Sequence, residues 1–256
     1  MSNSDLTWFQ HDRFGLFVHW GLYSLGARHE WLMNRERVHE SDYAKYTKVF
    51  EPDLYDPRDW AAQAKRAGMK YVVLTTKHHD GFCLWDSKLT DYTVVNTPYG
   101  KDLVRPFVEA VREAGLKVGF YHSLLDWHHP DFLVDGYHPR RDDADATQQN
   151  VGRDMARYRE YLHGQVRELL SNYGKIDYLF YDFSYEKKDH NNIWGGREPK
   201  RGAPRNCSLS PVTFSQTLSS TTGSTYQATS SHRSSTSHRS QWRWTESRSL
   251  GRPVRR

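Results

Sequence analysis

The chain has two cysteines in 256 residues, Cys83 and Cys207, far apart and in segments of different character. That excludes a disulfide framework as the basis of the fold and leaves Cys83 as a plain buried thiol. No apolar run reaches the roughly 18 residues of a membrane span. The start, Met1-Ser-Asn-Ser-Asp-Leu6, lacks a basic stretch followed by an apolar one, so the expectation is a cytoplasmic protein with no membrane partner. Acid is also missing, but from one region only. From Arg201 onward there are nine Lys or Arg and a single acid, Glu246, whereas the first 200 residues hold 27 bases and 30 acids. The net charge of +5 therefore belongs to the tail and says nothing about the partner of the front part, for which no nucleic acid is expected.

What the chain does have is aromatic rings, 14% of residues with nine Trp and 16 Tyr, many beside His, Asp or Glu. Flat aromatic faces next to polar groups suit a sugar pocket. Four apolar runs of strand type end in residues able to do chemistry: the run from Arg13 to Gly21 holding His19-Trp20, Tyr71 to His78-His79-Asp80, Leu116 to Tyr121-His122, and Ile176 to Asp182. Between them lie segments of helical pattern. Asp56 caps a helix with Pro57 in its first turn and Gly68 as its stop. Asp102 to Gly115 places Leu103, Phe107, Val108 and Val111 on one face. Gln148 to Ser171 spaces Met155, Tyr158, Leu162, Val166 and Leu169 as a third helix. Alternating strands and helices specify a parallel sheet, and reactive side chains at strand carboxyl ends are the arrangement of a (β/α)8 barrel. The expected fold is an incomplete α/β (β/α)8 TIM-type barrel of about four strand-helix units over residues 1–197.

The stretches Trp8-Phe9, Arg13-Phe-Gly-Leu-Phe-Val-His19-Trp20-Gly21, His29-Glu30-Trp31, Thr75-Thr-Lys-His78-His79-Asp80-Gly-Phe82 and Asp177 to Asp182 resemble the amino-terminal half of the catalytic barrel of family 29 α-L-fucosidases. The resemblance implies a retaining exo-glycosidase that removes terminal α-L-fucose from oligosaccharides or glycoconjugates, with no cofactor. It implies Asp182 as nucleophile and a fucose pocket lined by His19, Glu30, Trp31, His78, His79 and Tyr121. Family members often carry Trp two residues before the nucleophile, where this chain has Phe180. The mechanism also needs a second carboxyl group, about 5–5.5 Å from the first, to protonate the leaving oxygen. No residue of this chain corresponds to the family's acid/base, so the resemblance implies an inactive chain or, as an alternative, a non-catalytic fucose-binding half-barrel. The oligomeric state is not encoded in any motif.

Several residues have plainer readings. His122, His128 and His129 are expected to be hydrogen-bonded structural groups. Asp177, at the start of its strand, is expected to be structural, and the charged run Arg140 to Asp145 a solvated loop. His78-His79-Asp80 with Asp182 suggests a metal site by residue type. Against that, adjacent residues on one strand point to opposite faces, so no metal is expected.

The segment 198–256 is Ser-, Thr- and Arg-rich with almost no Leu, Ile or Val, and by composition it is a disordered tail. A basic nucleic-acid arm and wrong-frame translation are the other readings. If each codon is read one nucleotide earlier, Thr217 to His232 permits the string D-x-[IV]-[IV]-N-D-R-L-D-L-P-G-D-F-V-T. That string is similar to the fucosidase segment after the nucleophile strand, which carries a substrate-binding Arg and, in many members, the acid/base Glu. The tail is therefore expected to be out of frame.

Overall fold

The four apolar runs become four parallel strands in a computed structural model of the chain, which describes residues 7–183 and two three-residue strands in the tail. The four are β1 (Gly15–Val18), β2 (Tyr71–Lys77), β3 (Lys117–Ser123) and β4 (Tyr178–Asp182), and they neighbour one another in chain order. Lys77 pairs with His122 and Ser123 with Asp182, so β2, β3 and β4 finish at one level, while β1 stops at Val18, opposite Leu74. The tail strands β5 (Thr213–Ser215) and β6 (Gln227–Thr229) pair antiparallel with each other. The expected domain boundary at residue 197 and the rest of the expected tail lie outside the described residues.

Among the described residues six α-helices accompany the sheet: α1 (Thr7–His11) before it, α2 (Leu32–Arg35) and α3 (Glu40–Tyr43) in the excursion after β1, and α4 (Pro57–Arg66), α5 (Val104–Glu113) and α6 (Met155–Asn172) as the crossovers. The last three make this a partial barrel of strand-helix units. α4 is set by the predicted signals: Asp56 accepts from the amides of Arg58 and Asp59 at 3.0 and 3.1 Å, and Gly68 takes φ +85° just past its end. α5 is capped in the same way by Asp102, and Leu103, Phe107, Val108 and Val111 are all buried. α6 begins at Met155 rather than Gln148. Gly152 at φ +86° turns the chain, and Asp154 then caps the Ala156 amide, leaving Gln148–Asn150 as a single 3-10 turn.

β1 is shorter than its apolar run because a side chain takes over from the ladder. The Thr75 hydroxyl accepts from the Trp20 amide at 3.2 Å and donates to the Trp20 carbonyl at 2.9 Å. This pins the strand end and aims His19. Val72, Leu74, Val118 and Phe120 pack in the main core with the apolar faces of the crossover helices. The other sheet face gathers Tyr71, Val73 and Tyr121 with Trp8, Phe9, Tyr178 and Phe180. Among the described residues no helix is long and apolar enough to cross a membrane.

Candidate active site

His19 follows β1, His78 and His79 follow β2, Tyr121 lies near the end of β3, and Asp182 closes β4. The fold brings these together. The Tyr121 hydroxyl donates to Asp182 Oδ2 at 2.6 Å, and His79 Nε2 stands 3.6 Å from the same oxygen. Burial, and then the negative charge of Asp182, push the Tyr121 phenol far above its ordinary pKa, so it remains a donor. The Tyr121 ring stacks on His78 at 5.5 Å and meets His19 edge-on at 5.1 Å. Asp182 keeps 28% of its side chain exposed while its Oδ1 accepts from the Phe183 amide at 2.9 Å. Phe183 sits at φ +61°, a left-handed conformation uncommon for an aromatic residue. Its ring faces His79 at 5.0 Å and Trp31 at 5.8 Å.

The alternation argument for His78 and His79 does not survive the geometry. The β2–β3 register shifts between Thr75 and Lys77, β2 ends at Lys77, and the chain then turns, with Gly81 donating to the His78 carbonyl at 3.1 Å. The two imidazoles end up side by side, ring centroids 4.1 Å apart. Gly81 is required here: its φ is +80°, and a Cβ would come within 2.3 Å of Asp126 Oδ1. Among the described residues, no three His, Cys, Asp or Glu side chains are arranged to hold a metal ion.

Both imidazoles are buried, which drives His78 well below its ordinary pKa and His79 down to about 3. They are neutral at pH 7, and His78 Nδ1 and His79 Nε2 have no hydrogen-bond partner. Buried polar atoms without a partner are rare and need an explanation; a ligand's hydroxyls would supply one. His19 is exposed, yet desolvation still lowers its pKa against the raising effect of Glu30 and Asp182. Glu30 is half-buried, and its charge also weighs on Tyr23 and Tyr121. Trp31 meets His79 edge-on at 4.8 Å and Trp127 at 5.4 Å. Phe180 stacks on Tyr121 at 5.7 Å. All seven predicted site residues therefore share one end of the sheet.

Sequence reasoning missed the groups that hold this site. Lys77 and Asp126 form a buried ion pair at 2.9 Å, with Tyr158 and Tyr161 rings over the ammonium. Asp126 Oδ1 also accepts from the amides of His128 and His129. The Trp127 amide donates to the His79 carbonyl at 2.8 Å. Asp80 accepts from Tyr43 at 2.9 Å, and burial raises its pKa to about 7. Neither Ser123 nor Trp127 carried a signal in the sequence. The plainer readings fare differently. His122 bonds Thr76 at 3.2 Å and Asp177 accepts from the Val118 amide, both structural. The charged run is a turn-rich segment with Asp142 to Asp145 exposed, as expected, and it carries surface pairs of Arg140 with Asp143 and Arg37 with Asp142.

A strand-end carboxylate held by a phenol and ringed by neutral imidazoles and aromatic faces is the equipment of a barrel glycoside hydrolase. The family model described as alpha-L-fucosidase matches residues 2–253, and the chain belongs to that family. Tissue alpha-L-fucosidase of Rattus norvegicus is 37% identical over 145 residues, covering 50% of this chain and 31% of that protein. Alpha-L-fucosidase isoenzyme 1 from Paenibacillus thiaminolyticus is 57% identical with a TM-score of 0.68, covering 71% of this chain and 43% of that one. A Bacteroides thetaiotaomicron family 29 alpha-L-fucosidase, described as a trapped covalent intermediate with 2-fluoro-fucosyl fluoride, is 33% identical with a TM-score of 0.62. That match covers 72% of this chain and 42% of the other. The chain spans about a third of the length of the curated relatives it matches.

Proposed function

We propose that the chain carries the nucleophile half of a retaining α-L-fucosidase site, for terminal α-L-fucose on oligosaccharides or glycoconjugates. The observation that carries this reading is the partly open Asp182 carboxylate, oriented by Tyr121 at 2.6 Å and faced by the unpartnered His79 Nε2 at 3.6 Å. In the proposed reaction an Asp182 oxygen attacks the anomeric carbon. The bond to the aglycone oxygen breaks, and that oxygen leaves with the electron pair and takes a proton from the acid/base. Water then attacks the glycosyl ester, releasing fucose and restoring the carboxylate. His19, Glu30, His78 and His79 read the sugar hydroxyls, while Trp31 and Phe180 supply apolar walls.

The acid/base would come from the segment that follows the nucleophile strand in the family. The tail as written offers no matching residue, in keeping with wrong-frame translation after about residue 197. Protonation of the leaving group typically contributes about 10²–10⁴-fold. The chain as it stands is therefore proposed to turn over natural fucosides poorly or not at all.

The test is labelling with 2-fluoro-fucosyl fluoride, whose fluoride leaves without needing an acid. Mass spectrometry is expected to find one 2-fluorofucosyl group on the peptide containing Asp182 and none on Asp182→Ala. A label on another residue removes Asp182 from the nucleophile role. Saturable L-fucose binding with no label favours the non-catalytic half-barrel instead.

A further inference from the structure

Ser123, which the fucosidase reading assigns no role, lies between a backbone turn and His79. Its Oγ is 2.6 Å from His79 Nδ1, 2.7 Å from the Leu125 carbonyl oxygen and 3.0 Å from the Leu125 amide nitrogen. It is fully buried, as is His79. The hydroxyl has one proton to give. The Leu125 carbonyl can only accept, and two oxygens at 2.7 Å need a proton between them, so the Ser123 proton is committed there. The two lone pairs of Oγ then accept from the Leu125 amide and from His79 Nδ1–H. A neutral imidazole protonated at Nδ1 has a bare Nε2.

We infer that Ser123 is a positioning residue that fixes the tautomer of His79, so that Nε2 acts as a hydrogen-bond acceptor for the substrate hydroxyl next to the reacting carbon. This rests on the reading of Asp182 as nucleophile. The placement follows from the 3.6 Å separation of Nε2 and Asp182 Oδ2: an atom attacking the anomeric carbon sits beside the hydroxyl of the adjacent ring carbon. The unpartnered Nε2 agrees with it, as does the burial that keeps the ring neutral. Two acceptors facing each other repel, and a hydroxyl that donates to Nε2 relieves the conflict. With the opposite tautomer, Nε2 would donate to the Asp182 carboxylate and compete with the substrate for it.

The test begins with imidazole nitrogen NMR on the full chain, the His79 signals being those lost in His79→Gln. The expected spectrum shows Nδ1 protonated and Nε2 bare. Ser123→Val, which has no hydroxyl, is expected to shift His79 toward the Nε2-protonated form, whereas Ser123→Thr retains the original tautomer. L-fucose affinity should fall roughly tenfold in Ser123→Val and be largely kept in Ser123→Thr. Binding of 2-deoxy-L-fucose should not respond to either change. Protonation of Nε2 in the unmodified chain overturns the inference even if neither variant folds, and so does an unchanged tautomer in Ser123→Val. The assigned tautomer without any binding of L-fucose overturns the sugar-site reading and leaves the positioning role standing.

Discussion

The Tyr121 hydroxyl reaches across one strand spacing to Asp182 Oδ2 at 2.6 Å, joining β3 and β4 at the point where the reaction is proposed to occur. A hydrogen bond to a charged group contributes about 1.5–3 kcal/mol. Tyr121→Phe keeps the ring that stacks on His78 and loses only that bond. Labelling of Asp182 by 2-fluoro-fucosyl fluoride is expected to slow by roughly 10- to 100-fold on that scale, with the far-ultraviolet spectrum unchanged. An unchanged rate would mean that the carboxylate is oriented without Tyr121.

The Lys77–Asp126 pair is almost wholly removed from solvent, at 0% and 2% side-chain exposure. Removing one partner of such a pair leaves a buried charge uncompensated, at about 3–5 kcal/mol. Lys77→Met is expected to lower the urea midpoint accordingly, and Lys77→Met with Asp126→Leu to recover part of the loss. Equal midpoints for Lys77→Met and the unmodified chain would show that the ammonium is not held as described.

Stability should depend on pH through two opposed sets of groups. His79 is depressed to about 3 and His138 to about 4, from an ordinary value of about 6.5. The unfolded chain therefore binds more protons between those limits, and the stability these residues contribute is present above about pH 6.5 and lost as the pH falls. Asp80 works the other way. Its folded pKa, raised to about 7, makes the folded state hold the extra proton above about pH 4, so that contribution is lost as pH rises toward 7. Denaturation midpoints should rise from pH 4 to 6.5, and Asp80→Asn should steepen the rise. A shallower slope in Asp80→Asn would reverse the assignment.

Reading the gene in all three frames around the codons for Trp194 to Arg205 tests the tail directly. A one-base restoration of the earlier frame is expected to give a longer protein with alternating strands and helices and the missing Arg and Glu. That protein should hydrolyse an aryl α-L-fucoside, lose the activity in Asp182→Ala, and regain part of it with azide, which attacks the anomeric carbon as the aryl oxide leaves. An inert restored protein, or full activity in Asp182→Ala, would remove the fucosidase role of this aspartate.

The strand order and the three crossover helices were legible because each is written in local signals: apolar runs, capping aspartates and glycine stops. The start of α6 was not, since residues 148–151 carry no breaker, and only the Gly152 turn and the Asp154 cap place it. The pairing of His78 with His79 was hidden because period-two reasoning assumes a strand that continues, and β2 stops at Lys77. Lys77, Asp126 and Ser123 stayed silent for another reason. Their roles exist only as long-range partnerships, 49 residues apart for the ion pair and 44 for Ser123 with His79.

The sheet takes its strands in chain order and the pocket residues follow it: His19 after β1, His78 and His79 after β2, Tyr121 in β3 and Asp182 at the end of β4. Among the described residues every strand pairing joins sequence neighbours, so each pairing closes a single loop. Domains form from the amino terminus during synthesis. On a ribosome the segments carrying His19, His78 and His79 leave the exit before the one carrying Asp182. The side chains proposed to read the sugar therefore all precede, in the chain, the carboxylate proposed to attack it.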